Sequence, residues 1–222
     1  MSNKVWIAVA SSLVVLLLSV ASKASSITVD VQFSDRIAGD MVIINRIEQK
    51  REKYFRKHRG ERRSRGFPKL ARARYANAEF AGERLVPDLA DFTFETIVRR
   101  TVQHSLAEMA PDDMPARISV DLESMRISNY SLARYKSHAS IMVGIVSSFD
   151  EAGKKTGAVK LTWEMIPRYS PSRAYSGREY AFLLESAHVR IAPLTMGFLE
   201  KALEHLYPGK DAPGPVFLGE PG

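Results

Sequence analysis

Thirteen lysine or arginine side chains fall between Arg46 and Arg74 against three acids, Glu48, Glu52 and Glu61, a net of +10 in twenty-nine residues. The chemistry open to such a run is electrostatic. Ammonium and guanidinium groups attract phosphates and carboxylates, and Tyr54, Phe55 and Phe67 can dip among lipid head groups. Six closely spaced cations, Arg56, Lys57, Arg59, Arg62, Arg63 and Arg65, form the candidate anionic-surface site. The structural alternative is a solvated helix or loop between two core elements, the usual fate of a charge run. All other residues sum to −3, so the chain's +7 belongs to one segment and not to the fold.

Other reactive groups lack partners by spacing. The five histidines (His58, His104, His138, His188, His205) include no His-Glu-x-x-His pair that would set two imidazoles on one helix face for zinc. Glu185 and His188 make one Glu-x-x-His, whereas a carboxylate-bridged di-iron bundle needs two plus two further glutamates. No Gly-x-Ser-x-Gly elbow, Ser-x-x-Lys, Gly-x-Gly-x-x-Gly or Gly-x-x-x-x-Gly-Lys occurs, which leaves a serine hydrolase or nucleotide site without its usual support. No catalytic, metal or cofactor-binding residue is assigned, no cofactor is expected, and the residues identify no small-molecule substrate. His104 reads as a helix-flank histidine with general base as its functional alternative, Trp163 as a core anchor with ligand stacking as its alternative. Asn129-Tyr130-Ser131 is a glycosylation sequon, relevant only in a eukaryotic host.

These residues need elements to hold them. Ile27, Val29, Val31 and Phe33 alternate with polar residues, which predicts a strand. The first half of the basic segment can be helical, with Glu52 four residues before Arg56, until Gly60 interrupts it. Asp91 reads as the N-cap of a helix over 92–109, in which Phe94, Val98, Val102, Leu106 and Met109 recur at helical spacing and Pro111 stops the run. Strands follow at Ile118–Leu122, continuing toward Ile127, at 138–149, and at Val159–Met165, with a hairpin loop from Asp150 to Gly157. Tyr180 to Tyr207 is helical by pattern, Pro193 ending a first piece or kinking one long helix. The order predicts an α+β fold: an antiparallel sheet of about four strands with two main helices packed on one face. Phe94, Val98, Val102 and Leu106 are expected to press on the face carrying Val159, Leu161 and Trp163.

At the N-terminus, Lys4, an apolar run from Val5 to Val20, and Ser22 and Ala24 at the −3 and −1 positions have the layout of a secretory signal peptide. The run is shorter than the roughly 20 residues of a comfortable transmembrane helix, which favours cleavage after Ala24, an uncleaved inner-membrane anchor being the alternative. Residues 1–24 are therefore a signal peptide, 25–207 one domain with a basic insert at 46–74, and 208–222, with four prolines and four glycines, a flexible tail. The chain has no cysteine, which excludes disulfide frameworks, zinc-thiolate sites, thiol nucleophiles and a lipid-carrying cysteine after the signal. Composition, 45% hydrophobic and 26% charged, is that of a globular chain and excludes a wholly disordered one.

The helix over 92–109, the stretch Ile118-Ser-Val-Asp-Leu-Glu-Ser-Met-Arg-Ile, the meander with its Asp150 to Gly157 turn, and the closing helix to Tyr207 resemble small bacterial envelope proteins of unknown function. At fold level those are similar to the auxiliary lipoproteins of ABC-type transporters. The resemblance covers residues 92–207 and implies an accessory role in envelope transport; this chain departs from it in lacking the lipidated cysteine and in its basic insert. The expectation is a non-catalytic periplasmic or secreted envelope protein whose partner is an anionic lipid, an envelope polymer or an envelope protein, with no nucleic acid. A secreted hydrolase using His104, His138 or His188 with a loop carboxylate is the alternative.

Overall fold

A strand opens the fold because four apolar side chains at alternate positions need one buried face. In β1 (Thr28–Phe33) Val29 is buried, and Ile27, Val31 and Phe33 pack on the same core. The structure, a computed structural model, describes residues 27–57, 91–127, 139–166, 168–170, 180–183 and 190–218. From β1 the chain runs into α1 (Asp35–Lys57) and later into α2 (Phe94–Met109), then returns as β2 (Arg117–Arg126). β3 (Ile141–Phe149) and β4 (Lys155–Glu164) complete a sheet ordered β1-β2-β3-β4.

The fold class is α+β with four strands in this sheet, but the sheet is mixed. β1 pairs with β2 in parallel, Thr28 opposite Arg117 and Phe33 opposite Leu122, while β2, β3 and β4 are antiparallel. Among the described residues two helices intervene between β1 and β2, and such a crossover lets the chain start its next strand from the same end. Alternation along β1 carries no information about that direction.

α2 begins at Thr93 rather than Asp91. The Thr93 Oγ1 accepts the Thr96 N–H at 3.2 Å, and Asp91 Oδ1 in turn accepts the Thr93 N–H at 3.2 Å and hydroxyl at 3.0 Å. Hydrogen bonding from the Thr96 hydroxyl, then from the Thr93 amide, holds the Asp91 carboxyl below its ordinary value. The helix ends on Ala110 in the left-handed region, φ 42°, one residue before Pro111. Its stripe, including Phe94, Val98, Val102 and Leu106, is buried as the spacing predicts, on the sheet face that carries Val159, Leu161 and Trp163 but at its β1 edge, where Phe33 meets Phe94, and against a third helix.

That third helix, α3 (Ile191–Leu206), covers β3 and β4. Gly197 makes the approach possible: a Cβ there would lie 2.7 Å from Trp163 Nε1. Pro193 falls in its first turn, where a missing N–H costs nothing, so it neither ends nor kinks a helix. The chain before it is not helical at 180–183. Tyr180–Leu183 is β6, in a second sheet ordered β5-β7-β6 with β5 (Tyr169–Ser170) and β7 (Pro215–Leu218), both neighbours parallel to β7. β7 corrects the expectation of a flexible tail for 215–218, since all four of its residues are buried and Phe217 is part of the core. Pro215 is tolerated there as the first residue of a strand.

Candidate functional site

α1 carries the start of the basic segment, and its position follows from one stripe. Ile37, Met41, Ile44 and Glu48, spaced by four, three and four residues, face the protein: Ile37 and Met41 are buried, Ile44 packs on the core and Glu48 is 1% exposed. β1, β2 and β4 run in one direction and α2 and α3 run against it, since Gln103 Nε2 donates to Ile27 O and Phe33 meets Phe94, while Gly157 lies by Leu206 and Gly197 by Trp163. The N-termini of α2 and α3 therefore share one end of the domain, and α1 crosses it.

Two polar side chains fasten α1 there. Asn45 Oδ1 accepts the Phe94 N–H at 2.8 Å and its Nδ2 donates to Glu95 Oε2 at 3.0 Å. Three residues on, Glu48 Oε1 accepts the Ile191 N–H at 3.0 Å. Both amides belong to first turns that have no intrahelical acceptor, and a carboxylate at a helix N-terminus is also favoured by the helix dipole. Beside this contact the guanidinium of Arg190 lies over the Phe182 ring, 5.0 Å from its centroid, joining the start of α3 to β6. Inward, α1 is held by packing and caps; outward, Arg36, Arg46, Lys50 and Lys53 are exposed. Among the described residues these four form no ion pair.

Of the six candidate cations, Arg56 and Lys57 are the last residues of α1, and Arg59, Arg62, Arg63 and Arg65 lie outside the described residues. His138, His188 and the Glu185 of the Glu-x-x-His also lie outside them, as does the sequon. His104 sits on α2 with Nε2 3.8 Å from Glu108 Oε1, beyond hydrogen-bond length, and its ring is 5.8 Å from that of Tyr180. The Tyr180 hydroxyl is engaged with Ser105 Oγ at 3.2 Å. Trp163 packs against α3 with its ring half-buried, as a core anchor.

A cleft of about 770 Å³ opens at the opposite end of the domain, between the 112–115 link, the β3–β4 hairpin and the end of α3. Met114, Phe149 and Leu206 supply apolar lining, and Asp112, Asp113, Asp150 and Glu151 an acidic rim. Lys210 reaches Asp112 at 3.7 Å, and Asp150 Oδ1 accepts the Lys154 N–H, closing the hairpin. At its floor Ser148 Oγ and Thr156 Oγ1 are 2.9 Å apart, and burial raises the Tyr207 phenol above its ordinary value, a hydrogen bond with Ser148 partly opposing this. Neither His104 nor Glu108 lines the cleft. A histidine with a carboxylate inside a pocket is the arrangement the hydrolase reading requires, and the described cleft does not contain it.

No family model, curated protein or solved structure matches this chain.

The clasp residues Asn45 and Glu48 belong to no sequence motif because their role depends on where two distant helices begin. The signal that does exist is the 37–41–44–48 stripe, blurred in the sequence by Val42, Ile43 and Ile47 on the other side of the same helix.

Proposed function

We propose that this chain is a non-catalytic exported cell-envelope protein that binds an anionic membrane surface through its basic segment and serves an envelope transport system. The observation that carries this is the segregation of charge: net +10 over residues 46–74 against −3 for everything else. Its support in the fold is the mounting of the first part of that segment on α1, whose inner side is committed to two helix N-termini and whose Arg46, Lys50 and Lys53 are exposed. Folding does not require thirteen cations there, whereas each Lys or Arg near an anionic bilayer contributes about 1 kcal/mol. The proposed location is the periplasm, reached through the signal at residues 1–24. No helix among the described residues is long and apolar enough to cross a membrane.

The test is sedimentation of the purified mature protein with lipid vesicles. Binding to vesicles of anionic lipid, lost as salt rises and missing with zwitterionic lipid, is the expected result; equal binding to both would remove the electrostatic mechanism. Protein recovered from its host should begin at Ser25, and an intact Met1 on membrane-extracted protein would replace cleavage with an anchor.

A further inference from the structure

We propose that the outward face of α1, and not only the basic segment beyond it, docks on the anionic bilayer, with Val42, Ile43 and Ile47 entering the head-group boundary between Arg46, Lys50 and Lys53. The inference rests on the membrane-binding reading above and names a second surface for it. Val42, Ile43 and Ile47 are 61, 55 and 42% exposed, three of the six large hydrophobic residues most open to solvent among the described residues. At 100° per residue they and the three cations fall within an arc of about 140°, extending about 17 Å along the helix axis from Val42 to Lys53. No acid position lies in that arc over those residues, because Glu48 points inward and position 52, a glutamate, falls about 80° outside the arc at 100° per residue; Asp35 and Asp40 stand nearer the helix start.

The mixture decides the occupant. A second copy of the same face would set Arg46, Lys50 and Lys53 against their own likes, and an apolar protein groove would strip water from three cations without supplying counter-charges. A sheet of lipid phosphates over acyl chains meets both needs: the long side chains lie along apolar surface with their charges at the phosphates while the aliphatic groups sink a few ångströms deeper. The Asn45 and Glu48 clasps fix the rotation of the helix, so this face cannot roll inward to bury itself. α1 also runs on to Lys57, which puts the aliphatic face and the rest of the basic segment in reach of one surface.

Because the chain has no cysteine, Ile43→Cys gives a single thiol for an environment-sensitive fluorophore on the mature protein. The emission should shift to the blue with phosphatidylglycerol-containing vesicles and stay unchanged with phosphatidylcholine alone. Replacing Val42, Ile43 and Ile47 together by serine should weaken binding to the anionic vesicles at least about tenfold at about 150 mM salt, with Tm nearly unchanged. Wild-type binding by the serine variant without a blue shift at position 43 would overturn the inference; loss of binding on replacing Arg56, Lys57, Arg59, Arg62, Arg63 and Arg65 by glutamine would then leave the basic-segment reading standing. Wild-type protein that ignores anionic vesicles would overturn both. A blue shift that grows with protein concentration and needs no lipid would assign the face to a second copy instead. If the serine variant unfolds, the fluorophore at position 43 still decides.

Discussion

Replacing Asn45 with alanine should loosen α1 from the start of α2 by a calculable amount. Its Oδ1 is the acceptor for the Phe94 N–H, and Phe94 is fully buried. Stranding a first-turn amide of this kind costs about 1 to 2 kcal/mol, as loss of a helix cap does. The second bond, from Nδ2 to the Glu95 carboxylate, is partly exposed and adds about 0.5 to 1 kcal/mol. The sum, about 1.5 to 3 kcal/mol, corresponds to a fall in Tm of about 3 to 12 °C for a domain of this size. Denaturant unfolding with unchanged m-value is the assay. Asn45→Asp discriminates further: it keeps an acceptor for Phe94 but sets a carboxylate against Glu95, so a second change, Glu95→Gln, should recover part of the loss. A cost below about 0.5 kcal/mol for Asn45→Ala would be a surface-substitution result and would refute the clasp.

Leu106 is fully buried, so Leu106→Ala should cost about 2 to 5 kcal/mol by denaturant unfolding; a near-neutral result would put that face of α2 in solvent. Phe217→Ala should cost about 3 to 5 kcal/mol although it lies within a stretch rich in proline and glycine, and a loss within about 0.5 kcal/mol would return β7 to the status of a tail. Burial raises the Glu200 carboxyl above its ordinary value near 4.5, with Arg168 at 2.9 Å and Lys201 opposing. A raised folded value means that the carboxyl's contribution to stability is present below pH 4.5 and is lost as pH rises through the folded value. The Tm of wild type relative to Glu200→Gln should therefore be more favourable at pH 4 than at pH 7; the opposite order would show that the ion pair with Arg168 outweighs the cost of burial.

How far the fold is legible in the residues differs by element. Val29 and Val31, the 94–98–102–106 stripe and the alternation through Val159, Leu161 and Trp163 mark their elements because each buries one face and wets the other. Tyr180, Ala181 and Phe182 are all buried, as are Pro215–Leu218, so neither strand shows a wet face and the periodicity vanishes: the first reads as the start of a helix and the second, among prolines and glycines, as a tail. The parallel pairing of β1 depends on the path through α1 and α2, which strand pattern does not encode. At the candidate site, the cations are plain in the sequence because charge needs no fold to be counted. Asn45 and Glu48 are not, because only the folded chain brings the starts of α2 and α3 to one helix.

The central claim is most directly tested by sedimenting two proteins with anionic vesicles side by side, the mature wild type and the variant in which Arg56, Lys57, Arg59, Arg62, Arg63 and Arg65 are glutamine, while recording Tm for each. The wild type should sediment and the variant should not, with Tm within a few degrees, since solvated cations add little to folding. A variant that binds as well as wild type would contradict it, and a large fall in Tm would show that these side chains serve ion pairs of the fold instead of a membrane.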